Sequence, residues 1–388
     1  MKPLFSGTFP DPMRTGNVSE NQPRGAVIRI HPDMLIFVSP RYADDKNLER
    51  AVLEYATAVR EGPTQWRSHI IYLNQDSNHK EVIDQIIENE YKQTHILKAV
   101  LVIGEDTEVY LGHTLDGQEA PLPDIWADTN GEITSEGYFT PVWGGPLEKY
   151  DPRVAKWARF TPEVGVSFLF QSEDVALETK KRQLAMTLRK FASNQTTTYN
   201  GSVQFVGDPT LEYRDFKDQT EAALLLGGTF VYVPNPKMKD LALNDPHLFY
   251  FAFGHGNPYS ISVDNTCELI CAFFDHHLAR LNSPIFVGSG CFVGGWNTSV
   301  EQSNNDILDV PTGWFLGSSL LTNPTLRVSI LGLYNETALP QIIERLANGK
   351  TVAEALLVKR LVGDIVIYGD PTLKLRLTPD ESFRNTLP

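Results

Sequence analysis

Short runs that are apolar from end to end, separated by stretches of helical period, constrain this chain most. Residues 34–38 read MLIFV and residues 99–103 read AVLVI, with no polar alternation in either. A strand with one face in water alternates apolar and polar residues. One that is apolar throughout is buried on both faces, as a parallel strand is when helices lie above and below it. Between these runs, Leu48, Val52, Tyr55 and Val59 mark one helical stripe, and Val82, Ile83, Ile86 and Ile87 mark another. A further strand is expected at 69–73. The rhythm returns at 166–170, followed by a helix from near Ser172 with Leu184, Leu188 and Phe191 inward and Lys180, Lys181 and Arg182 in solvent. The expected class is α/β with a mostly parallel sheet.

A second series follows. Strands are expected at 203–206, 248–253, 285–287, 314–316 and 365–368, with helices near 218–226 and 266–281. Pro340 and Gly349 frame another helix, and Thr351 with Glu354 has the spacing of a capping box. Two consecutive α/β units result, about 31–175 and 176–378, with scope for one shared core. Residues 1–30, rich in Pro, Gly and Asn, read as an arm or pro-segment, and 379–388 as a tail. Residues 107–163 lack a clear period, which is long for a connection and points to a functional or inserted segment.

Composition narrows the partners. The formal charge is −14, from 34 basic and 48 acidic residues, and no Lys/Arg block interrupts it. Nucleic acid and anionic membrane surfaces are therefore poor partners. No apolar run approaches the ~20 residues of a membrane span. Three cysteines are too few for a disulfide framework and suit a reducing compartment. With no apolar leader visible, the expected location is cytoplasmic, or secreted if a leader has been removed.

Two strand exits carry the chemistry. FYFAFGHGNP, 249–258, runs from an apolar strand into Gly254, His255 and Gly256, and PIFVGSGCFVGGW, 284–296, runs from another into Cys291 among glycines. One helix-sized crossover separates them. A right-handed crossover makes the two strands parallel and brings both carboxyl ends to one edge, where ligands of open α/β sheets bind. A cysteine needs a neighbouring imidazole to attack as thiolate, and the imidazole can return the proton to a leaving amine. The flanking glycines admit a substrate backbone and offer the N–H groups of Gly256 and Cys291 to an oxyanion.

An apolar block ending in His-Gly, then a second ending in a small residue and Cys, resembles the caspase-like cysteine peptidases, the group of caspases, legumain, clostripain, separase and gingipains. Within it the likeness is to the gingipain family, supported by FLGSS at 315–319 and YGDPTLKL at 368–375, and it covers roughly 31–378. The resemblance implies a caspase-haemoglobinase-like three-layer αβα sandwich with two α/β subdomains. It also implies an endopeptidase acting on protein or peptide substrates through a thioester, with no cofactor required. His255 matches the general base and Cys291 the nucleophile, while Gly256 and Cys291 match the oxyanion donors. Asp208, just past 203–206, matches the acidic residue that orients the histidine, with Asp215 a weaker substitute. Glu301, Asp306 and Asp309, after Cys291, could select Arg or Lys before the scissile bond. Residues 1–30 could act as a latency segment, cut after Arg24.

Alternatives stand beside this reading. The pentapeptide GDPTL occurs at 207–211 and again at 369–373, and Gly-Asp-Pro is ordinary turn chemistry, so Asp208 is a turn former, a partner of His255, or both. Asp124, Asp128, Asn130 and Glu132 resemble part of a calcium loop, without the distal bidentate glutamate. Cys267, Cys271 and Asp275 fall at helical spacing beside His276 and His277, but a zinc site wants four converging ligands. GSGCFVGG lacks the Lys-Ser/Thr of a phosphate loop. A ligase or transpeptidase would use the same dyad, and a scaffold module would leave it inert.

Overall fold

The computed structural model describes residues 31–75, 78–104, 111–113, 119–121, 123–130, 160–170, 175–193, 195, 202–207, 230–234, 246–253, 255–257, 260–262, 281–289, 320–332, 338–360 and 365–375. In chain order the first elements are β1 (Met34–Val38), α1 (Lys46–Glu61), β2 (Ser68–Tyr72), α2 (His79–Thr94) and β3 (Ala99–Ile103). A small hairpin, β4 (Leu111–His113) with β5 (Glu119–Pro121), and a single-turn helix α3 (Asp124–Ala127) lie in the segment without period. Then come β6 (Gly165–Leu169), α4 (Leu177–Ser193), β7 (Ser202–Gly207), β8 (Phe230–Pro234) and β9 (His247–Phe253). The hairpin β10 (His255–Asn257) and β11 (Ser260–Ser262), then β12 (Ile285–Ser289), β13 (Val328–Gly332), α5 (Leu339–Ala347), α6 (Val352–Ala355) and β14 (Ile365–Gly369) complete the series.

Ten strands form one sheet in the order β2-β1-β3-β6-β14-β13-β12-β9-β7-β8. Every neighbouring pair is parallel except β13 with β14. The α/β class and mostly parallel sheet expected from the apolar runs are present. The single antiparallel seam has a consequence that composition does not show. β1, β2, β3, β6 and β14 run one way, and β7, β8, β9, β12 and β13 run the other. The carboxyl ends of the two sets therefore emerge at opposite edges.

Strand alternation separates two cores. Ile285 and Val287 pack with Phe249, Phe251, Val328, Ile330, Ile365 and Ile367 under Leu339, Ile342, Ile343 and Leu346 of α5. Their neighbours Phe286, Tyr250, Leu331, Val366 and Tyr368 join the other core, with Leu184, Leu188 and Phe191 of α4 and Val52, Tyr55 and Val59 of α1. Helices thus cover both faces of the central strands, which is compatible with three layers. Each such side chain contributes roughly 1.5–3 kcal/mol on burial.

Local rules account for the helix ends. Asp45 caps α1 by accepting from the Leu48 N–H at 2.7 Å. Thr351 and Glu354 form the expected capping box, and Pro340 opens α5 while Gly349, at φ +74°, follows its end. Lys180 is a correction: expected in solvent, it is only 4% exposed, because it lies one turn before Leu184 on the same stripe. The described part of that helix begins at Leu177, and Ser172 lies outside the described residues. Strands β8 and β13 were not anticipated, although both are rich in apolar or aromatic residues. The strand expected at 314–316 and the helices near 218–226 and 266–281 lie outside the described residues.

The seam is held by buried polar groups. Asp370, directly after β14, is fully buried and ion-paired to Arg327, directly before β13. Its Oδ1 also accepts from the Tyr55 hydroxyl at 2.7 Å and the Thr372 hydroxyl at 2.6 Å. Burial, then the Asp370 charge, push the Tyr55 phenol well up, so it stays a donor. Beside the pair, the Lys190 ammonium donates to the carbonyls of Leu320, Asn323 and Leu326 at 2.8, 2.8 and 2.6 Å. Three carbonyls match three ammonium hydrogens, and a neutral amine would leave one short.

Two predictions follow from these groups. Arg327→Met strands the Asp370 charge in the core, so urea denaturation should show a loss of about 3–5 kcal/mol. A loss under about 1 kcal/mol would mean the pair does not secure the seam. Burial first, then Arg327, lower Lys190 from 10.5 to about 7, against the opposing pull of Asp370. Between those values the unfolded chain holds the proton that the folded chain has released, so stability from this group rises with pH. The wild-type minus Lys190→Met difference in unfolding free energy should therefore increase from pH 7 to pH 10; a flat difference would contradict the lowered value.

Candidate functional site

Three parallel strands end level with one another. Gly207 pairs with Phe253, and Phe253 pairs with Ser289, so β7, β9 and β12 finish side by side at one edge. The wiring reverses here: from β7 the chain goes to β8 on one side and then to β9 on the other. Connections that diverge from such a point leave a crevice beyond the carboxyl ends, the usual ligand position in open α/β sheets. Asp208 is the next residue after β7, and His255 and Cys291 come two residues after β9 and β12. The parallel, adjacent placement expected for the strands leading to His255 and Cys291 is thus observed.

The first half of the sheet provides an internal control. Its order, β2-β1-β3-β6, repeats the wiring of β8-β7-β9-β12. Val38, Ile103 and Leu169 end level there, as Gly207, Phe253 and Ser289 do in the second half. The positions equivalent to Asp208, His255 and Cys291 are Ser39, Glu105 and Gln171. Ser39 is spent locally, its hydroxyl accepting from the Arg41 N–H at 3.4 Å. The same topology occurs twice, and only in the second copy do a histidine and a cysteine follow the strand ends in sequence.

His255 opens a hairpin immediately after β9, with His255 opposite Ser262 and Gly256 opposite Ile261. The Asn257-Pro258 pair is a turn signal that the sequence reading passed over. His255 and Gly256 are described by their backbone. Cys291, Asp208, Asp215, Glu301, Asp306, Asp309 and Glu132 lie outside the described residues, as do Cys267, Cys271, Asp275, His276 and His277. One further residue belongs to this edge. Ser289, the last of β12, is fully buried and its hydroxyl has no hydrogen-bond partner among the described residues. Across from it Gly332 carries no side chain; a Cβ there would stand 3.3 Å from the Ser289 Oγ.

Two of the calcium-loop residues bond to protein groups. Asp124 is fully buried and its Oδ1 accepts from Arg360 Nη2 at 2.7 Å. Asn130 Nδ2 donates to Glu163 Oε1 at 2.8 Å, and the Thr129 N–H donates to Glu163 Oε2 at 2.9 Å. Nearby on α2, burial and then Glu88 and Asp128 push Asp84 up to about 6. Among the described residues no three His, Cys, Asp or Glu side chains form a group able to hold a metal. Nor, among those residues, is any helix long and apolar enough to cross a membrane.

No protein-family model and no curated protein matches the chain.

Proposed function

We propose that the protein is a cysteine endopeptidase of the caspase-like, gingipain-like kind. One observation carries the reading: β7, β9 and β12 end in register at a reversal point, and Asp208, His255 and Cys291 follow within two residues of those ends in sequence. Neighbouring parallel strands are about 4.8 Å apart, a spacing that suits a thiol and an imidazole working as a pair. Helices on both faces of the central strands are compatible with the three-layer sandwich of that peptidase group.

In this mechanism His255 takes the proton of Cys291, and the sulfur attacks the scissile carbonyl carbon. The N–H groups of Gly256 and Cys291 hold the oxyanion. Collapse breaks the C–N bond, His255 protonates the departing amine, and the acyl group remains as a thioester. Water, deprotonated by His255, then releases the carboxylate and restores the thiol. Asp208 holds the imidazole tautomer and balances its charge. No cofactor enters this sequence. Glu301, Asp306 and Asp309 would favour Arg or Lys before the cleaved bond, and residues 1–30 would confer latency. A scarcity of cysteines suits an enzyme that keeps its thiol reduced.

A peptide-library cleavage profile comparing the native chain with Cys291→Ala tests the reading. Hydrolysis should fall by on the order of a thousandfold or more. Undiminished cleavage by Cys291→Ala would rule out the mechanism. Adding an amine nucleophile separates hydrolysis from transpeptidation, since a ligase would divert the thioester into a new amide. An inert scaffold would show neither cleavage nor labelling of Cys291 by a peptidyl acyloxymethyl ketone.

A further inference from the structure

The ten-stranded sheet stops at β2 on the side of its first half, and among the described residues no strand lies beyond it. Which groups of β2 face outward follows from its bonds to β1. The Arg67 carbonyl accepts from the Met34 N–H at 3.1 Å, and the Leu73 N–H donates to the Val38 carbonyl at 3.0 Å. Backbone direction alternates along a strand, so residues 67, 69, 71 and 73 turn their N–H and C=O groups toward β1. Ser68, Ile70 and Tyr72 turn theirs away from the sheet. Such an edge accepts another strand, and proteins commonly block it with charge, proline or a bulge. β2 reads SHIIY, without Lys, Arg, Asp, Glu or Pro, and its register with β1 is unbroken from Ser68 to Tyr72. Tyr72 is exposed, and Ile70 and Ile71 are only half-buried.

Register and charge select the partner. Antiparallel pairing centred on Ile70 sets Ile70 against its own counterpart and Ser68 against Tyr72 twice over. All three outward residues then fall in hydrogen-bonded pairs, each exchanging an N–H···O=C bond in both directions. A centre at His69 or Ile71 would leave one of the three without a mate in the strand. The two ends of β2 also differ in charge. At the amino end, Arg67 and Lys98 share the Asp33 carboxylate, at 3.8 and 3.3 Å, and Arg67 is exposed. At the carboxyl end, Glu49 of α1 lies close enough to Tyr72 that its charge, after burial, raises the phenol. Antiparallel pairing lays each amino end against the other copy's carboxyl end, so the excess cation of one meets the carboxylate of the other, and a two-fold axis makes the contact twice.

We propose that β2 is a docking edge for a second copy of this chain, paired antiparallel about Ile70, with Arg67 of each copy facing Glu49 of the other. Two ten-stranded sheets then continue into one another across a two-fold axis. The surface lies on the opposite half of the sheet from β9 and β12 and stands whether or not the chain is a peptidase. A five-residue edge is a small contact, so the dimer is reversible, with a Kd on the order of 10 μM.

Sedimentation velocity of the full-length chain, from about 1 to about 100 μM, tests this and should show a dimer fraction that rises with concentration. Ile70→Pro removes an outward N–H that β1 does not use and should weaken the dimer roughly tenfold or more, with circular dichroism checking the fold. Arg67→Glu, a surface change that leaves the strand intact, should weaken it to a similar extent, and adding Glu49→Arg to that variant should restore it. Under mild oxidation Ile70→Cys should give a disulfide-linked dimer, since the paired Cα atoms stand about 5.5 Å apart. Ser68→Cys should not, because its mate is Tyr72, and wild type treated alike controls for the native cysteines. A wild type that stays monomeric throughout overturns the proposal, including the case in which an extended peptide of another protein takes the edge instead. A dimer unmoved by Arg67→Glu, or one that Ser68→Cys links as readily as Ile70→Cys, overturns it too.

Discussion

The buried pair of Asp370 and Arg327 is the interaction on which the rest of the sheet depends. Two five-stranded parallel sets meet at β13 and β14 with opposite directions, and this pair closes the seam at one end. An unpaired charge at that depth would be costly, so the two strands must arrive together. The Tyr55 hydroxyl brings α1 to the same carboxylate, and the Phe191 carbonyl and ring bring α4 to the guanidinium, its centre 5.7 Å from the ring. Groups distant in sequence are thus tied into one buried network whose members have few alternative partners.

The seam matters to the candidate site because it decides which edge each set of carboxyl ends occupies. Had β13 joined β14 in parallel, the loops after β3 and β6 would have crowded the loops after β9 and β12. With the directions opposed, the carboxyl ends at Phe253 and Ser289 emerge at the edge opposite those of β3 and β6. Its connections are correspondingly specialised. The chain leaving Cys291 returns at 320–326, where Lys190 gathers three carbonyls and Asn323 Nδ2 donates to the Leu281 carbonyl at 3.0 Å. That clasp lies at the amino end of β13, at the edge opposite Ser289.

Much of this was legible in the residues. Apolar runs such as AVLVI announce strands buried on both faces, because a polar side chain left unpaired there costs free energy. Glycine-flanked His255 and Cys291 after such runs announce two strands that end at one edge, because a single crossover makes adjacent strands parallel. Other features escaped. Lys180 looked solvated by its charge, yet its place one turn before Leu184 buries it. Asp124 belongs to the calcium-like pattern in the sequence, and no local signal shows that its Oδ1 accepts from a guanidinium 236 positions away. Asp370 read as turn chemistry alone, and only its tertiary partners show the ion pair.

By itself, then, the sequence determined most of the described strand and helix segments, the class of sheet, and that the strands leading to His255 and Cys291 are parallel neighbours. Those are consequences of period, capping and local turn chemistry, which act within a few residues. The tertiary structure decided that both halves share one sheet, that they run in opposite directions, and that the wiring of the first half is repeated in the second. Those outcomes depend on pairings between strands and on charges buried against partners more than a hundred residues away, and no local pattern encodes such a partner.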